Sequence, residues 1–191
     1  MNKRIYDYLE IKDLKDMLNK TEKLYANRPA YKIKIEEGKY QVYTQKEVRD
    51  MINALGTALI NLGLKGKRIA VIEENRYEWE IAYLSIVCGT GIVVPLDKSL
   101  PANELELLIE RSDIEAIFYT KKYSEIIQNI RLSEKNKLKH LISMDNDENV
   151  EGILDLGQFK LIKYLFLFFL SFFSFLLHSI LLDRISLLFV D

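Results

Sequence analysis

Between residues 11 and 25 the apolar positions Leu14, Met17, Leu18 and Leu24 recur at close to helical spacing, which predicts an amphipathic helix. After Asn27, Arg28 and Pro29 the stretch AYKIKIEEGKYQVYT alternates in two short runs around Gly38, the pattern of a β-hairpin. Thr44 followed three residues later by Glu47 makes a capping box, because each side chain can satisfy a free backbone N–H of the other. Val48, Ile52, Leu55, Leu59 and Leu62 then fall on one stripe, predicting a helix over 45–62 closed by Gly63.

From residue 68 the rhythm changes. RIAVIE is a nearly continuous apolar run of the kind buried on both faces of a parallel sheet. Asn75, with Glu78 three residues on, predicts the start of a helix carrying Trp79, Ala82, Tyr83, Ile86 and Val87. GIVVPL is a second buried strand. Pro101 then suits the first turn of a helix with Leu105, Leu108 and Ile109 inward. IEAIFYT is a third strand, followed by a helix near 123–130, and KHLISM a fourth. Strand and helix thus alternate, so right-handed crossovers should build a mainly parallel sheet covered on both sides, an α/β three-layer fold. The acidic run DNDEN from Asp145 predicts a solvated loop, and no internal repeat is visible.

Composition changes this picture at one point. The 191 residues are 49% hydrophobic with a formal net charge of −1, but the average hides two populations. Up to Phe159, charges of both signs are interspersed with short apolar runs; after Lys163 almost all charge disappears. The balanced charge offers no basic field for nucleic acid, so no nucleic-acid partner is expected. A single cysteine, Cys88, excludes an internal disulfide and fits a reducing compartment. MNKRIYDYLEIKD has no apolar core of a signal sequence, which makes a cytoplasmic domain the expectation.

Candidate chemistry is sparse. Gly89, Thr90 and Gly91 invite a dinucleotide reading, but a phosphate-cradling loop follows a strand and opens a helix, whereas here the order is helix, glycines, strand. A tight helix-to-strand turn is the expected role. His140 and His178 lack ligand partners at metal spacing, and Cys88 has no histidine near it in sequence to activate it. Glu104, Glu106 and Glu110 decorate a helix face. Glu73 and Glu74 follow a strand end, where open parallel sheets bind ligands, although capping is the simpler role. Trp79 is spaced as part of a helix face packing on a sheet. No catalytic, cofactor-binding or metal residue is assigned.

Several pieces in succession carry a resemblance: Tyr43 and Thr44 entering a helix, the Leu62 and Gly63 break, GKRIAVI from Gly66, NRYEW from Asn75, and GIVVPLD from Gly91 leading to PANEL. In this order, over roughly residues 12–156, the chain resembles the N-terminal portion of AMP-forming (adenylate-forming) synthetases, closest to long-chain fatty acid–CoA ligases. The resemblance implies a two-step chemistry. A carboxylate attacks the α-phosphate of ATP to give an acyl adenylate and pyrophosphate, and a thiol such as coenzyme A then takes the acyl group. It also implies a phosphate loop usually written SGTTG with PKG after it, a carboxylate for Mg²⁺, an acidic residue for the ribose and a lysine in a small C-terminal domain. None of these motifs occurs in the sequence, so no family residue is carried over and no cofactor is expected for this chain, ATP, Mg²⁺ and CoA belonging to the full-length family.

The tail YLFLFFLSFFSFLLHSILL, residues 164–182, holds fourteen Leu, Ile or Phe among nineteen uncharged positions. As a helix it would span about 28 Å, close to a bilayer core, and its apolar residues favour insertion by about 4–8 kcal/mol against three serines and His178. One expectation is therefore a C-terminal transmembrane helix, with a membrane partner and membrane association. The other is a reading-frame shift, since Phe, Leu, Ser and Ile are what thymine-rich codons spell. The division expected is 1–159, a truncated and incomplete synthetase subdomain, inactive alone and missing the remainder of the enzyme as its partner, and 160–191, the tail. The alternative function is a tail-anchored non-enzymatic binding or regulatory module. A weaker alternative is a flavodoxin-like signalling domain. A subdomain without its neighbour should expose apolar surface and be poorly soluble.

Overall fold

The computed structural model describes residues 8–72, 75–133, 135–145 and 153–155. Helix α1 (Leu14–Tyr25) starts where the Asp13 carboxylate accepts the Asp16 N–H at 2.7 Å. Its apolar stripe is only partly used: Leu18 packs on the core, but Leu14 and Leu24 stay exposed and no residue of the helix is fully buried. Strands β1 (Pro29–Glu36) and β2 (Lys39–Thr44) form the expected antiparallel hairpin, turning through Gly38 at φ +74°. Helix α2 (Gln45–Asn61) opens on the predicted capping box: Thr44 N–H donates to Glu47 Oε2 at 2.8 Å and Glu47 N–H donates to Thr44 Oγ1 at 3.2 Å. Val48, Ile52, Leu55 and Leu59 are buried, and Gly63 closes the helix at φ +79°.

Strands β3 (Arg68–Val71), β4 (Ile92–Pro95), β5 (Ile114–Tyr119), β6 (His140–Ser143) and β7 (Ile153–Asp155) form one sheet in the order β4-β3-β5-β6-β7 with every pairing parallel. The first four strands are those the apolar runs predict. The fifth, β7, was not anticipated, because the apolar alternation around Ile153 and Leu154 is too short to register as a strand. Helices α3 (Tyr77–Ser85), α4 (Ala102–Arg111) and α5 (Ser124–Leu132) are the crossovers.

The strand period of two sorts side chains into two cores. Ile69, Val71, Ala116, Phe118 and Ile142 face α2 and α3; Ala70, Ile117, Tyr119 and Leu141 face α4 and α5. This is the three-layer arrangement expected. Burying each large apolar side chain contributes about 1.5–3 kcal/mol, and Phe118, Ile69 and Ile117 are completely buried. Leu105 and Ile109 of α4 point inward as expected, whereas Leu108 is exposed. Helix α3 begins after Arg76, not Asn75, and has no side-chain cap bond.

The expectation of a membrane-spanning helix is corrected. The segment 164–182 on which it rested lies outside the described residues, as does the whole of 160–191. Among the described residues no helix is long and apolar enough to cross a membrane. The longest, α2, has 17 residues against about 20 for a span. Its first turns carry Lys46, Glu47, Arg49 and Asp50. The expected membrane partner and membrane-associated localisation are corrected with the spanning helix: nothing among the described residues supports either.

Candidate functional site

The strand order fixes where a ligand could sit. From β3 the chain crosses to β4 on one side of the sheet and then to β5 on the other, so a crevice opens at the carboxyl ends of β3 and β5. The loop after β3 leads there into Arg76, whose guanidinium is bound on two sides. Its Nε donates to Glu78 Oε2 at 2.8 Å and its Nη1 donates to Asp145 Oδ1 at 2.7 Å. Asp145, just beyond β6, also accepts the Lys121 N–H at 2.8 Å, and its carbonyl accepts from Ser143 Oγ at 2.9 Å. Burial pushes the Asp145 carboxyl up, but the Lys121 N–H and Arg76 outweigh burial and hold it below the usual carboxylate range. Glu78, followed by burial and Asp145 acting in opposite senses, leaves the Arg76 pKa raised.

Beside this clamp lies an open cleft of about 460 Å³ between the hairpin and the start of α3, lined by Tyr31, Asn75, Arg76, Tyr77, Trp79 and Glu80. The Tyr31 and Tyr77 rings are 5.7 Å apart and tilted, and Tyr43 backs Tyr77 at 5.4 Å. Trp79 stacks on Tyr83 at 5.2 Å, one helical turn on. Burial first, and then the hydrogen bond to Glu80, raise the Tyr31 phenol. Burial, Tyr43 and Glu78 raise that of Tyr77. Both remain neutral donors at any physiological pH.

A smaller cleft of about 230 Å³ lies among α1, α2 and the end of α3, where the helix loosens into a π turn over Ile86–Thr90. Cys88 is among its lining residues, with Lys15, Arg49, Ser85 and Thr90. Burial pushes the Cys88 thiol up despite Arg49, so it is not a thiolate and does not suit a nucleophile. The Gly89-Thr90-Gly91 stretch is the tight turn expected. Gly89 takes φ +143°, and a Cβ on Gly91 would collide with the Lys67 carbonyl oxygen. Thr90 Oγ1 donates to Ser85 O at 2.8 Å, closing the turn.

His140 sits half-buried at the start of β6, where burial and then Lys139 and Arg131 depress its pKa. Among the described residues no three His, Cys, Asp or Glu side chains gather as a metal site. Glu104 is exposed and Glu106 and Glu110 half-buried on α4; Glu73, Glu74 and His178 lie outside the described residues. Trp79 is half-buried and lines the open cleft in addition to packing on the α3 core. The clamp was not legible beforehand, because Arg76 and Asp145 stand 69 residues apart and nothing in either local pattern pairs them.

The profile of the family described as AMP-binding enzyme matches residues 18–160. The chain belongs to that family. Among its curated relatives are an uncharacterized acyl-CoA ligase, YtcI, of Bacillus subtilis, 29% identical over 76% of this chain and 28% of that protein, and the long-chain-fatty-acid–CoA ligase 1 of Cavia porcellus, 23% identical over 74% of this chain and 21% of that protein. A similar solved structure is the anthranilate CoA ligase AuaEII in complex with anthranoyl-AMP, with a TM-score of 0.65 and 20% identity over 78% of this chain and 27% of that one. This last likeness shows the fold. The chain therefore spans about a quarter of the length of the AMP-binding enzymes it matches. Those relatives are CoA ligases of several subtypes, so membership extends to the AMP-binding and acyl-CoA ligase superfamily, not to the long-chain subtype in particular.

Proposed function

We propose that residues 1–159 form the N-terminal α/β part of an ATP-dependent acid–thiol ligase of the long-chain fatty acid–CoA type, and that the 191-residue chain by itself carries out no ligation. The match to the AMP-binding family over 18–160 is the observation that supports the first half. For the second half, the residues present do not fit a nucleotide triphosphate. The one glycine pair resembling a phosphate loop precedes a strand, and the Cβ position of Gly91 is taken by the Lys67 carbonyl oxygen, which leaves no room for an anion on that side of Gly91. No cluster suited to Mg²⁺ exists among the described residues either. What this chain contributes is scaffold: a twisted parallel sheet whose carboxyl edge, held by Arg76 and Asp145, presents its loops to whatever completes the enzyme.

The test is ATP–pyrophosphate exchange with fatty acids. The purified chain should give none, and clear exchange would overturn the inactivity. Co-expression with a relative's ligase from which the matched N-terminal region has been deleted should yield a co-purifying complex with exchange activity. Failure of the two to associate would sink the scaffold role. Reading the gene beyond codon 160 in the other two frames addresses the tail: a glycine-, serine- and threonine-rich loop encoded there supports a shifted frame.

A further inference from the structure

We infer that the cleft between the hairpin and α3 is a receptor for one organic cation, the guanidinium or ammonium end of a basic group. Three aromatic side chains, Tyr31, Tyr77 and Trp79, and the Glu80 carboxylate line it. Ring faces carry negative potential and attract a cation lying over them, most strongly when a carboxylate supplies the counter-charge. Arg76 also lines the cleft, but its guanidinium is engaged by Glu78 at 2.8 Å and Asp145 at 2.7 Å. Its charge is thus already met by two carboxylates. Among the described residues two cations, Arg76 and Lys121 beside Asp145, stand against the three carboxylates of Glu78, Asp145 and Glu80, which leaves the site electronegative by one charge.

The nearby lysines do not cancel this field from within the cleft. Lys32 and Lys34 are on the opposite face of the hairpin from Tyr31, and Lys32 lies 4.3 Å over the Tyr40 ring there. That contact is itself an instance of the recognition proposed. The walls are also fixed in advance. Trp79 is held by its stack on Tyr83, and Tyr31 by its packing on Tyr77. A ligand therefore finds the rings already ordered and does not bear the cost of ordering them. Burial is the main cause of the raised phenol pKa values, and the Glu80 and Glu78 carboxylates add to it in the same direction.

The chain has one tryptophan, so emission excited at the red edge of its absorption, where the eleven tyrosines absorb little, reports on this cleft. The full chain is titrated with N-acetyl-arginine methylamide, with a short arginine-containing peptide, and with the citrulline counterparts of both, which keep the shape and lose the charge. A saturable change in Trp79 emission is expected with the arginine compounds, at least about tenfold weaker with citrulline. Glu80→Gln, an exposed and nearly isosteric change whose folding is checked by circular dichroism, should weaken arginine binding about fivefold or more. Tighter binding of the peptide identifies a partner protein as the source of the cation, and equal binding of the free amide identifies a small molecule; both support the receptor. Equal affinity for citrulline, no saturable response to either arginine compound, or an unchanged affinity in Glu80→Gln overturns it.

Discussion

Replacing Gly91 by alanine tests the helix-to-strand turn directly. Gly91 is in extended backbone, at φ −165°, which any residue can adopt, so conformational freedom is not what selects glycine. Space is. An added Cβ would overlap the Lys67 carbonyl oxygen and would also meet Leu64 O and Lys67 N at 3.4 Å. All three are backbone atoms that cannot swing aside. They are pinned as well: Lys67 O accepts Ile92 N–H at 2.8 Å, Lys67 N–H donates to Leu64 O at 3.1 Å, and Gly66 N–H donates to Thr90 O at 2.7 Å. Relief therefore means moving the entry of β3 away from β4, at about 1–3 kcal/mol for overpacking and about 1 kcal/mol for a weakened backbone bond. The smaller unfolded-state entropy of alanine offsets about 0.4–1 kcal/mol. A net loss of about 2 kcal/mol, roughly a 30-fold drop in the folded-to-unfolded ratio, is expected in urea denaturation. Gly56→Ala is the control. Its Cβ would meet Thr90 Oγ1 at 3.2 Å and Ser85 O at 3.4 Å, both looser than the overlap at Gly91, and alanine gains helix propensity within α2, so the change should stay within about 1 kcal/mol. If Gly91→Ala is no more destabilising than Gly56→Ala, the steric account fails and a ligand-binding role for the glycines reopens.

Other outcomes follow from the same structure. Thr44→Ala breaks the capping box of α2 and should cost about 0.5–2 kcal/mol by urea denaturation, while Gln at position 47 should retain most of the cap. Phe118→Ala empties a fully buried site in the central strand and should cost about 3–5 kcal/mol, enough to leave much of the chain unfolded at room temperature. Asp145 has a depressed folded-state pKa, so its contribution to stability is present above the ordinary carboxylate value of 3.8 and is lost as pH falls through the lower folded value. Stability measured from about pH 5 to about pH 2 should fall less steeply in Arg76→Met than in the parent, and parallel slopes would refute the clamp.

The sheet strands and the crossovers were legible because each is local: RIAVIE, GIVVPL, IEAIFYT and KHLISM carry their burial in their own composition, and Thr44 with Glu47 announces a helix over four residues. Partial burial was less legible. Leu14, Leu24 and Leu108 have the spacing of core residues and yet are 40%, 53% and 40% exposed, because helical period says which side chains share a face, not whether anything covers that face. The candidate site was hardly legible at all. Tyr31 reads as a strand residue and Trp79 as a helix core residue; only the folding of the hairpin onto α3 makes them walls of one cleft. The long-range Arg76–Asp145 pair depends on β6 lying beside β5, which no local pattern states.

The two edges of the sheet are held together differently, and this bears on which edge can do chemistry. At the amino edge, Glu115 sits between Lys67 at 2.7 Å and Lys139 at 3.1 Å, and Asp113 between Lys137 at 2.7 Å and Arg68 at 3.5 Å. These ions stitch β3, β5 and β6 at their starts, but the cations are half or more exposed apart from Lys67 and Arg68, which are nearly so, and each such pair contributes at most about 1 kcal/mol and is screened by salt. At the carboxyl edge a single arginine, only 32% exposed, joins the first turn of α3 to the end of β6, with a backbone N–H completing the carboxylate's bonds. Added salt should therefore loosen the amino edge first and leave the Arg76 clamp in place. Amide hydrogen exchange in about 1 M salt checks this: Ile69 and Ala116, near the amino edge, should lose protection relative to Met144, whose N–H donates to Tyr119 O at the other end. Uniform loss at both edges would mean that the clamp is no stronger than a surface pair. The cleft beside it would then have a wall free to move and would not be preorganised for a ligand.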